Sequence, residues 1–137
     1  RVEIRFVTHR QTVRSLIGFS RFVARNLLFV DQVVLMGLEQ VGFAKTNMSS
    51  LWVDPVDYQT ELVEAVRILR NAGMRVAIYG HQLCVLAPEL RSLAVKAISD
   101  WKNVYLDTCT DCSLRDACGG FFASSVETTS RGIAQVP

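Results

Sequence analysis

The stretch "DPVDYQTELVEAVRILRNAGMRVAIYG", residues 54–80, predicts a helix followed directly by a strand. Asp54 or Asp57 can cap the helix, and Pro55 suits its first turn. Gly73 suits its end, and "MRVAIYG" then gives the strand. A helix that leads into a strand in this way is typical of a parallel α/β sheet.

The sequence before this unit has the same order of elements. "VEIRFV" alternates apolar and polar residues, as a half-buried strand does. Between residues 11 and 28 the apolar residues recur at spacings near three and four, with arginines on another face, which predicts an amphipathic helix. "QVVLMGL", residues 32–38, is a short apolar run typical of a parallel strand covered on both faces. A polar loop through "KTNMSS" leads from there to Asp54.

The sequence after residue 80 predicts one more helix. "PELRSLAVKAISDW" predicts a third helix that begins at Pro88, and "NVYL" predicts a short extended segment. The three β-α units should form parallel, right-handed crossovers in a Rossmann-like sheet or a (β/α) barrel, followed by a tail. Ligands of such sheets bind beyond the carboxyl ends of the strands, so we expect the chemistry at residues 8–10, 37–42 and 80–84.

The composition excludes several classes of function. The 137 residues are half hydrophobic and one-fifth charged, as in a globular domain, and no long uncharged run could span a bilayer. The net charge is +2 and the arginines are spread singly, so we expect neither a nucleic acid nor a membrane as partner. No signal-peptide pattern is visible, which predicts a cytoplasmic protein. A strand pattern already under way at Val2 predicts a piece of a longer chain.

Three of the four cysteines lie in "CTDCSLRDACGGFF", residues 109–122. Cys109 and Cys112 have the C-x2-C spacing that presents two thiolates to one metal, and Cys118 follows five residues later. Cys84 follows the third strand, at the end of the sheet to which the tail could return, and can supply a fourth thiolate. Four thiolates suit zinc or an iron-sulfur cluster, and the spacing does not choose between them.

Other interpretations of these residues stay open. The cysteines can be ordinary buried thiols or form a disulfide, but a cytoplasmic chain seldom keeps a disulfide, and three such close cysteines rarely arise for packing. His81 is near enough to Cys84 to compete as a ligand, and His9 is a further candidate. Each histidine can equally be a hydrogen-bonded residue at a strand end.

The residues after Cys118 suit the surroundings of a metal group. Gly119 and Gly120 would let the backbone turn back against it, with a positive φ at one of the two positions. Phe121 and Phe122 would shield the group from water or seal the core.

Three segments together resemble the C-terminal half of the radical SAM maturases of the His-Xaa-Ser peptide system, the HxsC type: "VVLMGLEQVGFA", "VAIYGHQLCVL" and "NVYLDTCTDCSLRDACGGFFASS". The most specific part is the C-x2-C-x5-C run followed by Gly-Gly-Phe-Phe, which is similar to the extension that holds an auxiliary [4Fe-4S] cluster in many radical SAM peptide-modifying enzymes. The resemblance therefore favours iron and sulfur over zinc. The ligands that it implies are Cys84, Cys109, Cys112 and Cys118.

The resemblance also implies a fold and a second cofactor. Residues 1–103 would be the C-terminal half of a partial (β/α) barrel, and residues 104–137 would be the auxiliary-cluster segment. In that family the ends of the later barrel strands line the S-adenosylmethionine site. The matching positions here are Thr8, His9, Arg10, Gly37, Glu39 and Tyr79. For the first three, a polar strand end that faces solvent is the alternative.

The chain departs from that family in one respect. It has no C-x3-C-x2-C triplet, which in the family binds the cluster that cleaves S-adenosylmethionine. We therefore expect this chain alone to be inactive and to need the N-terminal half of the barrel as its partner. The whole enzyme would modify a ribosomally made peptide. The alternative is a non-catalytic α/β module whose four cysteines hold a structural zinc.

Overall fold

The computed structural model describes residues 1–96 and 103–137, and a three-stranded parallel sheet lies at its centre. The strands β1 (Glu3–Thr8), β2 (Gln32–Gly37) and β3 (Arg75–Tyr79) lie side by side in chain order. Thr8 pairs with Gly37, and Met36 pairs with Tyr79, so the carboxyl ends of the strands are nearly level. The chain is a mixed α/β protein with parallel strands, as the sequence predicts.

Two long helices pack on one face of this sheet. The α-helices are α1 (Leu16–Asn26), α2 (Phe43–Thr46), α3 (Met48–Leu51) and α4 (Gln59–Asn71). The apolar sides of α1 and α4 share one core with alternate residues of β2 and β3, among them Val33, Leu35 and Ile78. The short helices α2 and α3 occupy the stretch that the sequence predicts as a loop. In the part of the chain that the structure describes, no helix combines the length and the apolar character needed to cross a membrane.

The helical segment that leads into α4 begins at a capping residue. Asp54 precedes a 3-10 helix, Pro55–Tyr58, and its carboxylate accepts a hydrogen bond from the Val56 N–H at 3.2 Å. Of the two candidate caps, Asp54 therefore has this role. Gly73, with a φ of 78°, follows the helix, because the left-handed conformation that ends it favours glycine.

The predicted third helix begins at Pro88 as expected, but it is a short 3-10 helix rather than an α-helix. Pro88–Leu93 form a 3-10 helix, and the chain is extended at Ala94. Ala94 bridges Ile78 of β3 in parallel, and the Val95 N–H donates to the Ile78 carbonyl at 2.9 Å. Pairing with the edge of β3 thus replaces helical hydrogen bonds for this backbone. The rest of the prediction falls on residues 97–102, outside the described residues.

The tail forms a small ribbon against the main core. Strands β4 (Asn103–Val104) and β5 (Phe121–Phe122) pair antiparallel, and Phe121 is buried. Leu114 and Cys118 pack against the core that the sheet shares with α1 and α4. The sequence suggests two segments, residues 1–103 and 104–137, and β4 includes the last residue of one and the first residue of the other. Both segments contribute side chains to the same core.

Candidate functional site

All four cysteines line one cavity between the sheet and the tail, here called the cysteine cavity. Cys84 follows β3, whereas Cys109, Cys112 and Cys118 belong to the tail, and none of the four is in a disulfide. The cavity encloses about 340 Å³ of empty space, part of it open to solvent. Its walls also include Leu83, Tyr105, Leu114, Arg115, Phe121, Ile133 and Ala134. The structure thus brings together the four residues that the sequence proposes as ligands.

Backbone N–H groups point at two of these sulfurs. The Leu83 N–H donates to Cys118 Sγ at 3.5 Å, and the Gly120 N–H donates to the same sulfur at 3.4 Å. Burial raises the pKa of the Cys84 thiol, although the Ala134 N–H donates to it. The closeness of Cys118 and Cys109 raises that pKa further, because neighbouring thiolates repel one another. A bound cation would reverse this effect and deprotonate the thiols.

The cysteine side chains are not in the geometry of bound ligands in the described arrangement. Within residues 1–96 and 103–137, no group of three or more His, Cys, Asp or Glu side chains has the geometry that would hold a metal ion. Four sulfurs bound to one zinc must each lie about 2.3 Å from it. The sulfurs described here would therefore have to move closer together to bind one ion.

A larger cavity, here called the strand-end pocket, lies at the carboxyl ends of β2 and β3. It encloses about 900 Å³ of empty space, part of it open to solvent. Of the residues that the resemblance assigns to S-adenosylmethionine, Gly37, Glu39 and Tyr79 line this pocket. Gly37 and Gly80 meet at its base, where a Cβ on Gly37 would lie 2.5 Å from the Gly80 carbonyl oxygen. Glycine is therefore required at this close approach.

The other three assigned residues lie elsewhere. Thr8 is buried, and its hydroxyl has no hydrogen-bond partner in the described part of the chain. The Nδ1 of His9 accepts the Gln11 N–H at 3.3 Å, and the Nε of Arg10 donates to the Trp52 carbonyl at 2.9 Å. None of Thr8, His9 and Arg10 is among the residues that line the strand-end pocket.

His81 has protein partners at both ring nitrogens. The Tyr58 hydroxyl lies 2.9 Å from Nε2, and the Tyr79 carbonyl lies 3.0 Å from Nδ1. Because a carbonyl only accepts, Nδ1 carries the proton and Nε2 accepts from Tyr58. Burial lowers the pKa of His81 to about 4, so the ring is neutral at pH 7. His81 lines the strand-end pocket rather than the cysteine cavity, and His9 lines neither.

The tail also closes one side of the strand-end pocket. The Gln40 side chain donates to the Thr128 carbonyl at 2.6 Å. Beyond it, Ser130 and Arg131 bind the start of α4 through two carboxylates. The Ser130 hydroxyl donates to Asp54, and the Arg131 guanidinium donates to Asp54 at 3.1 Å and to Asp57.

We call Asp54, Asp57, Ser130 and Arg131 the tail latch. The hydrogen bond from Arg131 lowers the pKa of Asp57. Burial alone would raise the pKa of Asp54, but the donors from Ser130 and Arg131 outweigh it and lower the pKa. The sequence identified Asp54 only as a helix cap, and no local pattern marked its contacts with the tail.

No family model matches this chain, and no curated protein or solved structure matches it either.

Proposed function

We propose that this chain is the C-terminal part of a radical SAM enzyme that modifies a ribosomally made peptide, and that its cysteine cavity holds an auxiliary [4Fe-4S] cluster. The main support is the meeting of four cysteines from two separate segments in one cavity. This cavity shares Gln82, Gly120 and Phe121 with the strand-end pocket, so a group held by the cysteines would lie beside any ligand of that pocket.

The C-x2-C-x5-C run followed by Gly-Gly-Phe-Phe favours a cluster over a single ion, because it resembles the auxiliary-cluster extension of radical SAM peptide-modifying enzymes. When bound by four thiolates, a [4Fe-4S] cluster supplies one-electron transfer. The chain contributes N–H donors to Cys118 and walls that are largely apolar, which restrict water around the sulfurs.

The arrangement of the sheet supports the partial barrel. Both long helices pack on the face that carries Val33 and Ile78, as the outer helices of a (β/α) barrel do. The opposite face carries Arg5 and Tyr79, and the guanidinium carbon of Arg5 lies 5.6 Å from the centre of the Tyr79 ring. In the described residues no strand pairs with the outer edge of β1. We propose that the N-terminal half of the barrel continues the sheet there.

Anaerobic reconstitution with ferrous iron and sulfide tests the cluster. We expect about four iron and four sulfide ions per chain and a broad brown absorbance. A chain with all four cysteines changed to serine is the control and should bind neither. A colourless chain that takes up one zinc ion would contradict the cluster and support the structural zinc, which would pin the tail to the sheet.

The radical SAM assignment has a separate test in the coding sequence upstream of Arg1. We expect it to encode a C-x3-C-x2-C triplet. An upstream sequence without this triplet would contradict the assignment, whatever the cysteines bind.

A further inference from the structure

Gln82 lines both the cysteine cavity and the strand-end pocket. Its side-chain Nε2 donates to the Gly120 carbonyl at 2.9 Å. The residues on either side of it are held by hydrogen bonds as well. His81 bonds to Tyr58, and the Leu83 carbonyl accepts the Arg91 Nε–H at 2.9 Å. Gln82 therefore joins the segment after β3 to the tail at a defined point.

The two residues that Gln82 joins are the two that donate to Cys118. Leu83 follows it in the chain, and Gly120 accepts its side-chain hydrogen bond. The N–H groups of Leu83 and Gly120 lie 3.5 and 3.4 Å from Cys118 Sγ. Hydrogen bonds of this kind orient a metal ligand. The amide of Gln82 thus fixes the spacing between both donors.

We propose that Gln82 is a positioning residue for the cysteine cavity, holding the Leu83 and Gly120 N–H groups against Cys118 Sγ so that this sulfur is oriented to bind metal. The inference rests on the proposed function in that the cysteines bind a metal group. It does not depend on which metal they bind.

Gln40 provides a matched control. It follows β2 as Gln82 follows β3, and its side-chain amide also donates to a tail carbonyl, that of Thr128. Gln40 lines the strand-end pocket but not the cysteine cavity. Gln40→Met and Gln82→Met each remove one amide that binds the tail, but only Gln82→Met affects the donors to Cys118.

Zinc affinity, measured by competition with a chelator, tests the proposal on the complete chain. Loss of an outer-shell partner costs about 10- to 100-fold in metal affinity, so we expect about a tenfold loss for Gln82→Met and less than about twofold for Gln40→Met. Gln82→Glu keeps the shape but places an acceptor against the Gly120 carbonyl, and should lose at least as much. Thermal unfolding of the metal-free variants checks that each one folds.

A double-mutant cycle separates a role through Cys118 from a general structural role. In a Cys118→Ser background, Gln82→Met should cause no further loss of zinc affinity. The proposal is overturned if Gln82→Met binds zinc like the wild type, if Gln40→Met loses as much, or if the loss is unchanged without Cys118. If the wild type binds zinc but neither iron nor sulfide, the proposed [4Fe-4S] cluster is contradicted. The proposal for Gln82 is not affected by that result, because the zinc affinities of the variants still test it.

Discussion

Gly120 combines a φ of 62° with a position that leaves no room for a side chain. A Cβ there would lie 2.6 Å from the Val104 carbonyl oxygen and 3.0 Å from the Tyr105 ring. Gly120→Val should therefore move the backbone at a cost of about 1–3 kcal/mol and withdraw its N–H from Cys118. We expect less iron per chain after reconstitution, although no ligand is changed.

Gly73→Val is the control for backbone strain alone. Gly73 also has a positive φ, but a Cβ there would meet no atom within 4 Å. This variant should lose stability and keep its iron. Equal iron contents in the two variants would argue against a role of Gly120 in the cysteine cavity.

The neutral His81 should make stability depend on pH. Burial lowers its pKa from 6.5 to about 4, so between these values the unfolded chain binds a proton that the folded chain does not. Stability should therefore fall as the pH decreases from about 6.5 to about 4, in total by on the order of 3 kcal/mol. Urea unfolding at several pH values should show this loss in the wild type and not in His81→Gln. Parallel profiles for the two proteins would show that His81 is not the group responsible.

The tail latch should hold the end of the chain in place while contributing little to the global stability. Exposed ion pairs contribute about 0–1 kcal/mol, and the less exposed Asp54 keeps its donors from the Ser130 hydroxyl and the Arg131 backbone N–H, so Arg131→Gln should leave the unfolding midpoint nearly unchanged. The tail should nevertheless open more often, and its backbone amides should exchange faster with solvent. Because the pKa values of Asp54 and Asp57 are lowered, the latch should persist above pH 3.8 and be lost only as the pH falls below it.

Arg67→Gln is the matched control for the latch. Arg67 pairs with Glu64 within α4, and its side chain is 61% exposed, against 63% for Arg131. The Arg67 guanidinium donates to Glu64 within the same helix, so amide exchange in the tail should stay at the wild-type rate. Faster exchange in both variants would mean that the latch does not act locally.

The elements that the sequence predicted correctly are those with a local signal. The three strands and the helices α1 and α4 have clear periodicity or caps. Helices α2 and α3 have four residues each, too few for a hydrophobic period to appear. The segment after Pro88 has the apolar spacing of a helix. At Ala94, however, its backbone pairs with the edge of β3, at Ile78, instead of continuing a helix. A contact between residues so far apart in the sequence leaves no local pattern.

Some residues of the candidate site also have a local signal in the sequence, and others have none. The cysteines of the tail are close in sequence, so their spacing alone indicated a common site. Gln82 and Arg131 act through partners far along the chain, and nothing near them in sequence marks those partners. Thr8 lies at the expected end of the sheet, but it shares a strand face with Phe6, which packs on Phe19 of α1. Alternation along the strand thus directs Thr8 toward the helices.

At the scale of the whole molecule, the outer edge of β1 should promote self-association. No strand pairs with it in the described residues, and Val7 is 38% exposed there. Unpaired edges with apolar side chains readily pair with another chain. Light scattering should show association that increases with concentration. Val7→Lys should reduce it, whereas Val41→Lys, at an exposed valine outside the sheet, should not. A wild type that stays monomeric at high concentration would contradict the open edge.

Because the four cysteines come from two separate segments, a group bound to all of them would restrict the unfolded chain. A group bound to Cys84 and to Cys109 would act as a crosslink that closes a long loop of polypeptide. Closing a loop of this size with a covalent bridge lowers the entropy of the unfolded state by the equivalent of about 3–4 kcal/mol at 25 °C. That amount is comparable to a large part of the stability of a small domain. The proposed cluster would then also serve as a structural staple, and its oxidative loss would loosen the attachment of the tail to the sheet.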